Sequence, residues 1–449
     1  MSVRVAPLIA ALVLFAGCGT VRPDAPAPRP APRPAPAPER PTTPRPRPPV
    51  ERPTPPAPAP RPVPPPDPIR APAGSIAAEL WYPAPRIATW TLASGVRVLF
   101  RRTDDERGVV RVRAYALGGW LGADGPRGFA AAVGASGETD GVQTTIGAAD
   151  VRLEGTASRR ELPALLGAVG AAIERRRTMP WGAPTPEALL DAALAGIDPR
   201  DNLARAPEAD VTRIDEALLG RPDRFVLLVS GDVPADTLEA LAGRALGRLR
   251  AGVMAPPTDS LPPVASRGMT LAISSGGLGT PAGEPRALVG FRGVVSGATA
   301  SRSPDDVQAG LDVLAAALVA AVERAAPNVR VEARAEVAGN VATVIVEATG
   351  GGLDAQALGA LVLRAAGDLG TGEAALGVAR GAAVNRARSD APDIWLDRLA
   401  VFARGRVDPR NMADYAGRLR AVPAERVRLL ADAVIDPARA VVVEVGGRP

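Results

Sequence analysis

The chain has 449 residues, with 53 basic against 48 acidic side chains, a net charge of +5, 46% hydrophobic residues and 3% aromatic ones. Every basic residue is arginine and none is histidine, so Ser-His-Asp and Cys-His catalysis, His-ligated zinc, the Walker A lysine and Schiff-base chemistry are all excluded. The single cysteine, Cys18, forms neither an intrachain disulfide nor a cysteine metal site, which leaves carboxylate chemistry open.

The length suits two or three domains, and the cores must be built from Ala, Val and Leu because aromatics are scarce. The pI of 10.3 overstates the charge, since arginine does not deprotonate. The arginines are interleaved with Asp and Glu and do not form a basic stripe with stacking aromatics, so a nucleic-acid partner is not expected.

In chain order, residues 1–17 have the form of a signal peptide: Arg4 opens it, and the apolar stretch 6–15 is too short to span a bilayer. It ends in Phe15-Ala16-Gly17-Cys18, which resembles a bacterial lipobox. That resemblance implies lipid attachment at Cys18 and an envelope location, with Gly19 favouring the outer membrane, facing the periplasm. Residues 18–73 follow as a lipidated Cys and a tether of Pro, Ala and Arg, expected to be disordered and to sample polyproline II. At about 3.1 Å per residue the tether reaches on the order of 100–170 Å. The plain reading is a spacer; the alternatives are a ligand for a Pro-binding domain and a wall-crossing arm whose arginines touch anionic polymer.

Residues 74–253 read as one α+β domain. Two short strands flank Ala93-Ser94-Gly95 within residues 90–100, and Val109–Leu117 is a third strand. A Gly-rich turn and a helix start at residues 128–133 follow. Strands are expected at 142–149 and 151–156, and helices at 159–177, 187–194 and 211–218. Residues 225–249 then give a buried strand, a Gly231-Asp232 turn and a helix N-capped near Pro234–Asp236.

Residues 254–264 (MAPPTDSLPPV) form a Pro-rich linker, and residues 265–449 repeat the plan. Strands at 269–274 and Arg286–Val294 lead to a helix at 305–324. A hairpin turns at Gly339-Asn340 between strands 328–338 and 340–348. Helices at 353–369, 373–387, 393–399 and 422–433 precede a closing strand at 440–445.

The strand, the small-residue turn and Gly128-Phe129-Ala130 together resemble the opening of an insulinase-like (pitrilysin) metallopeptidase domain. The entry hairpin, the Gly-Asp strand–helix unit and Asp393-Ile394-Trp395-Leu396 resemble later parts of the same family. The resemblance implies two homologous domains, each a mainly antiparallel sheet packed with helices. It also implies a His-x-x-Glu-His helix, which puts two zinc ligands and a general base on one face. Here Ala131 falls at the first His, Gly134 at the Glu and Ala135 at the second His. The implied protein is a pseudo-metallopeptidase with no metal and no cofactor.

The third ligand in such families is a Glu on a later helix. Glu187 is the nearest candidate in order and reads as an ordinary first-turn residue. Tyr415 with Arg418 or Arg420 is not at the family's substrate-binding position. Residues 276–283 mimic a nucleotide loop with the wrong spacing, and Asp104-Asp105-Glu106 reads as a solvated turn. The functional expectation is a catalytically inactive, lipid-anchored binding subunit whose partner is a protein, foremost a zinc-bearing homologue. The alternatives are a stand-alone peptide-binding scaffold and an enzyme of another class that uses carboxylates in the inter-domain groove.

Overall fold

The computed structural model describes residues 72, 74–174, 184–202, 206–250, 268–273, 284–296, 304–403 and 409–446. The expected signal peptide, Cys18, the tether apart from residue 72, the linker 254–264 and the whole nucleotide-loop mimic lie outside them. All described residues belong to one compact unit, Pro66–Pro449.

In chain order the first part gives β1 (Ile76–Tyr82), β2 (Ile87–Leu92), β3 (Arg97–Arg102), β4 (Val109–Leu117), α1 (Trp120–Asp124), α2 (Gly128–Ala135), β5 (Gly137–Thr139), β6 (Val142–Ile146), β7 (Asp150–Ser158), α3 (Leu162–Ile173), α4 (Pro186–Leu194), α5 (Glu208–Leu218), β8 (Phe225–Gly231) and α6 (Ala235–Ala245). The second gives β9 (Met269–Ile273), β10 (Arg286–Val294), α7 (Pro304–Ala325), β11 (Val329–Ala338), β12 (Val341–Gly350), α8 (Ala355–Gly367), α9 (Glu373–Arg388), α10 (Pro392–Ala403), α11 (Pro409–Met412), α12 (Tyr415–Ala421), α13 (Ala424–Val434) and β13 (Val441–Val445).

The fold is α+β with two mainly antiparallel sheets. The first has the order β1-β2-β3-β8-β4-β7-β6-β5, and the second β11-β12-β10-β13-β9. Each contains one parallel pair, β3 with β8 and β9 with β13. Read from those pairs outward, β3-β8-β4-β7-β6 and β9-β13-β10-β12-β11 are the same path through the same topology. The closing strand is inserted beside the opening strand in both, so its residues are covered on both faces. This is why β8 is buried throughout and reads as a continuous apolar run.

The two halves exchange equivalent helices. α4 belongs to the first half by sequence but packs on β10 and β13 of the second sheet. α10 belongs to the second half and packs on β4 and β8 of the first. Trp395, Leu396, Leu399, Ala400 and Ala403 of α10 close over Ile87, Leu99, Tyr115, Val226 and Leu228. Leu190 and Leu194 of α4 rest on Gly290 of β10, where a Cβ would lie 2.8 Å from Leu194 Cδ1 and 3.0 Å from Leu190 Cδ1. Burying each leucine contributes about 1.5–3 kcal/mol, and the missing side chain at Gly290 lets the helix settle that close.

Some expectations need adjusting. The domain opens with β1, one strand earlier than the hairpin, because the small Ala77 and Ala78 hid the strand pattern. The Gly-rich turn contains a helical turn, α1, held by Trp120 packed edge-to-face on Phe129 at 5.7 Å. The strand expected at 142–149 stops at Ile146, because Gly147 N donates to Asp150 O and turns the chain.

Candidate functional site

β4 delivers the chain to Gly118, whose φ of 88° suits glycine, and to Gly119, where a Cβ would strike Gly147 O at 2.0 Å. This close approach docks residues 118–121 on the β6–β7 turn. Gly118 N donates to Ala149 O (2.7 Å), Trp120 N to Gly147 O (3.0 Å) and Leu121 N to Ala148 O (3.2 Å). α2 then starts at Gly128, whose Cβ position is 2.9 Å from Trp120 O.

α2 is buried at every residue but Ala130. Ala131, Gly134 and Ala135, at the expected His, Glu and His positions, are all inside the packing, with Ala131 0% and Ala135 2% exposed. The helix packed on α2 is α5, whose buried residues are Ile214 and Leu218. Glu187 lies instead in the first turn of α4, as the sequence suggests, with its carboxylate 3.6 Å from Arg286. Among the described residues no group of three or more Asp, Glu or Cys side chains is placed to hold a metal ion.

Beside α2 the β5–β6 hairpin turns at Asp140 and Gly141, both with positive φ (51° and 74°), as a two-residue turn of this hand requires. The hairpin, the C-terminus of α2 and the N-terminus of α4 border a small cleft of about 30 Å³ lined by Val133, Ser136, Gly137, residues 143–146, Pro184, Thr185 and Ala188. Its walls are held by short polar contacts. Ser136 Oγ donates to Ala132 O (2.7 Å) and accepts from Ile146 N (3.1 Å), and Thr185 caps α4 by accepting from Ala188 N (3.2 Å). Thr144 Oγ1 is buried beside the cleft with no partner among the described residues.

One turn along α4 from Glu187, Asp191 ties the halves together. Its Oδ2 accepts from Ala148 N at 2.5 Å, and its Oδ1 lies 3.6 Å from Arg292 Nη2 on β10. The Arg292 side chain is only 2% exposed; its Nε donates to Thr343 Oγ1 (3.2 Å), and its Nη1 is buried with no partner among the described residues. Burial raises the Asp191 carboxyl above the usual carboxylate range, against the opposing pull of Arg292. Arg152 is held in its charged form chiefly by Asp150, 3.1 Å away.

α10 shows the same chemistry in reverse. Asp393 and Asp397, with Asp390 just before the helix, meet Arg111, Arg113 and Arg101 of the first sheet at 3.0, 3.1 and 3.3 Å. The Trp395 ring lies between the Arg101 and Arg398 guanidiniums, 4.6 and 4.7 Å from its centroid. Burial lowers Arg398 to about 10.

The other candidates are structural. Tyr415 Oη donates to Asp312 Oδ2 (2.6 Å), Arg418 pairs with Asp306 at 3.2 Å, and Arg420 is exposed. Asp104 and Asp105 are exposed in the β3–β4 turn, and Glu106 pairs with Arg111 at 3.0 Å. Asp191 and Arg292 escape sequence reasoning; the available signal was one arginine inside the otherwise apolar strand ALVGFRGV.

No protein-family model matches the sequence, and no curated protein matches it. Solved structures do match the fold. A protease from Helicobacter pylori superposes with a TM-score of 0.51 at 14% identity, over 81% of this chain and 100% of that one. A peptidase M16 inactive domain from Pseudomonas fluorescens gives 0.46 at 14% identity, over 81% and 98%. The periplasmic protease PqqL from Escherichia coli gives 0.48 at 14%, over 85% and 47%, so the chain spans about half the length of PqqL. At these identities the likeness is one of fold.

Proposed function

We propose that this chain, which has an insulinase-like α+β fold, is a non-hydrolytic binding subunit of the bacterial envelope. The observation that carries the reading is α2. Where the resemblance calls for His, Glu and His, the helix has Ala131, Gly134 and Ala135, each buried and without a polar side-chain atom. Such a helix can neither hold zinc nor polarise a water. Beside it, β5 is an edge strand whose main-chain groups could take an added strand, with Val133, Ile146 and Pro184 as apolar neighbours.

In this reading the partner is a protein, foremost a zinc-bearing homologue, and a lipid on Cys18 holds the chain at the outer membrane, facing the periplasm. The likeness of the fold to a protease in Helicobacter pylori and to a domain described as inactive in Pseudomonas fluorescens motivates the choice of partner. A stand-alone peptide-binding scaffold is the second reading, favoured by the edge position of β5. A carboxylate enzyme has less support, because Asp150 and Asp191 are already engaged by Arg152, Ala148 N and Arg292.

The test is capture from detergent-solubilised envelope with the tagged chain, together with metal analysis and peptide digestion of the purified protein. Co-purification of a His-x-x-Glu-His protein supports the pairing, and peptide capture alone supports the scaffold. Stoichiometric zinc or chelator-sensitive proteolysis by the clean chain overturns the reading. The anchor is tested separately: Cys18→Ser should abolish fatty-acid incorporation, and a wild type that takes up no fatty acid defeats that part.

A further inference from the structure

β1 is the outermost strand of the eight-stranded sheet, and among the described residues nothing pairs with its outer edge. Natural edge strands are protected by Lys, Pro, bulges or a covering segment. In β1 the sequence IAAELWY has no cation and no proline, its only irregularity lies between Ile76 and Ala78, and residues 77–81 are exposed. Leu80 and Trp81 are 53% and 51% exposed, and only Val378 joins them as an exposed large hydrophobic side chain among the described residues. Unpaired main-chain groups beside exposed apolar side chains form a template for an added strand.

The charge around that edge narrows the occupant. Glu79 pairs across from Trp90 and Trp81 from Ala88, so both side chains lie on the face of the main core, while Leu80 points to the opposite face. On the core face α6 runs against β2 and β3 and brings Asp236 and Glu239 towards Glu79. Burial raises the Glu239 carboxyl, and Glu79 and then Asp236 raise it further, with no cation acting against them. Among the described residues no arginine pairs with any of the three carboxylates. Elsewhere in the chain acids are habitually met by arginine, as along α10 and α4.

We propose that the outer edge of β1 is a docking site for an extended, arginine- or lysine-bearing segment of another protein, which joins the sheet as a further strand. Its cationic side chain lies over Trp81 and faces the Glu79, Asp236 and Glu239 carboxylates, and an apolar neighbour, pointing the other way, covers Leu80. A second copy of this chain is a poor occupant: its β1 would bring another Glu79 and no cation to the cluster. A nucleic acid is repelled by the same charge.

The test uses the full chain and two synthetic octapeptides, four repeats of Arg-Val and four of Glu-Val, read by anisotropy and amide hydrogen exchange. The Arg-Val probe should bind, slow exchange across residues 76–82, and weaken in 1 M salt. Trp81→Ser and, separately, the pair Glu79→Gln with Glu239→Gln should each weaken it roughly tenfold or more. These side chains are at least partly exposed, so the variants keep the fold, and an unchanged circular dichroism spectrum confirms that. Absence of binding, binding without protection of β1, or equal binding of the Glu-Val probe overturns the proposal. So does self-association of the unliganded chain that Trp81→Ser abolishes, which would make a second copy the occupant.

Discussion

Asp191 and Arg292 lie on opposite halves of the sequence and meet 3.6 Å apart, where the exchanged helix α4 crosses β10. Asp191 also accepts from Ala148 N, so one carboxylate joins the β6–β7 turn, an exchanged helix and the second sheet. Removing it leaves Arg292, whose Nη1 already has no partner among the described residues, as an uncompensated buried charge. Asp191→Ala should cost about 2–4 kcal/mol, and Arg292→Met less, because methionine fills the space without a charge. Urea unfolding midpoints of the two variants check the order.

The pH dependence of that contact has a definite sign. The Asp191 carboxyl is raised in the folded chain, so between the ordinary carboxylate value of about 4 and its raised value the folded state binds more protons. Its contribution to stability therefore falls as pH rises through that window and recovers as pH drops. Asp312 is raised as well, chiefly by burial, and acts in the same direction. The difference in unfolding midpoint between wild type and Asp191→Asn, followed from pH 7 down to about 4, isolates the Asp191 part. A flat difference defeats this assignment.

Gly290 tests the helix exchange itself. Gly290→Leu places a side chain where Leu190 and Leu194 now rest and should cost about 2–3 kcal/mol by forcing α4 outward. Gly290→Ala meets only the ends of two flexible leucines and should cost about 1 kcal/mol or less. Exchange at Ala148 N, capped by Asp191, should speed up in the leucine variant if α4 has moved.

On the other exchanged helix, packing should outweigh charge. Trp395→Ala removes a side chain that closes the first sheet and is expected to cost about 3–5 kcal/mol. Replacing Asp390, Asp393 and Asp397 together with Asn should cost only about 1–2 kcal/mol, because all three are half exposed or more. That smaller loss should shrink further in 1 M salt, whereas the tryptophan loss should persist.

Installing a His-x-x-Glu-His motif in α2, at the positions the resemblance assigns, should fail for a structural reason. Ala131→His, Gly134→Glu and Ala135→His put three large polar groups into positions that are fully packed. The triple variant should lose at least about 3 kcal/mol and take up no zinc, since the residues that α5 buries in the packing, Ile214 and Leu218, are apolar. Metal analysis and thermal denaturation of the variant check both parts.

Local patterning alone located most of the elements. Val109–Leu117 and Arg286–Val294 alternate or run apolar between clear turn signals, and the structure has strands over those same residues. The amphipathic period of residues 305–324 likewise foretold α7, and Gly339-Asn340 its hairpin. The absence of histidine and lysine narrowed the chemistry before any fold was considered. Short β5 and the alanine-rich β1 carried too little side-chain contrast to be seen. What only the tertiary structure decided is which half each helix serves. The periodicity of α4 and α10 shows that one face of each is buried, but not against what, because burial is a property of the partner surface and has no direction along the sequence. Asp191 and Arg292 are separated by a hundred residues of unrelated pattern, and nothing local to either announces the other. Their pairing, the burial of Ala131, Gly134 and Ala135 against α5, and the uncovered edge of β1 all follow from long-range packing, where side chains far apart in sequence compete for the same space and the same charge.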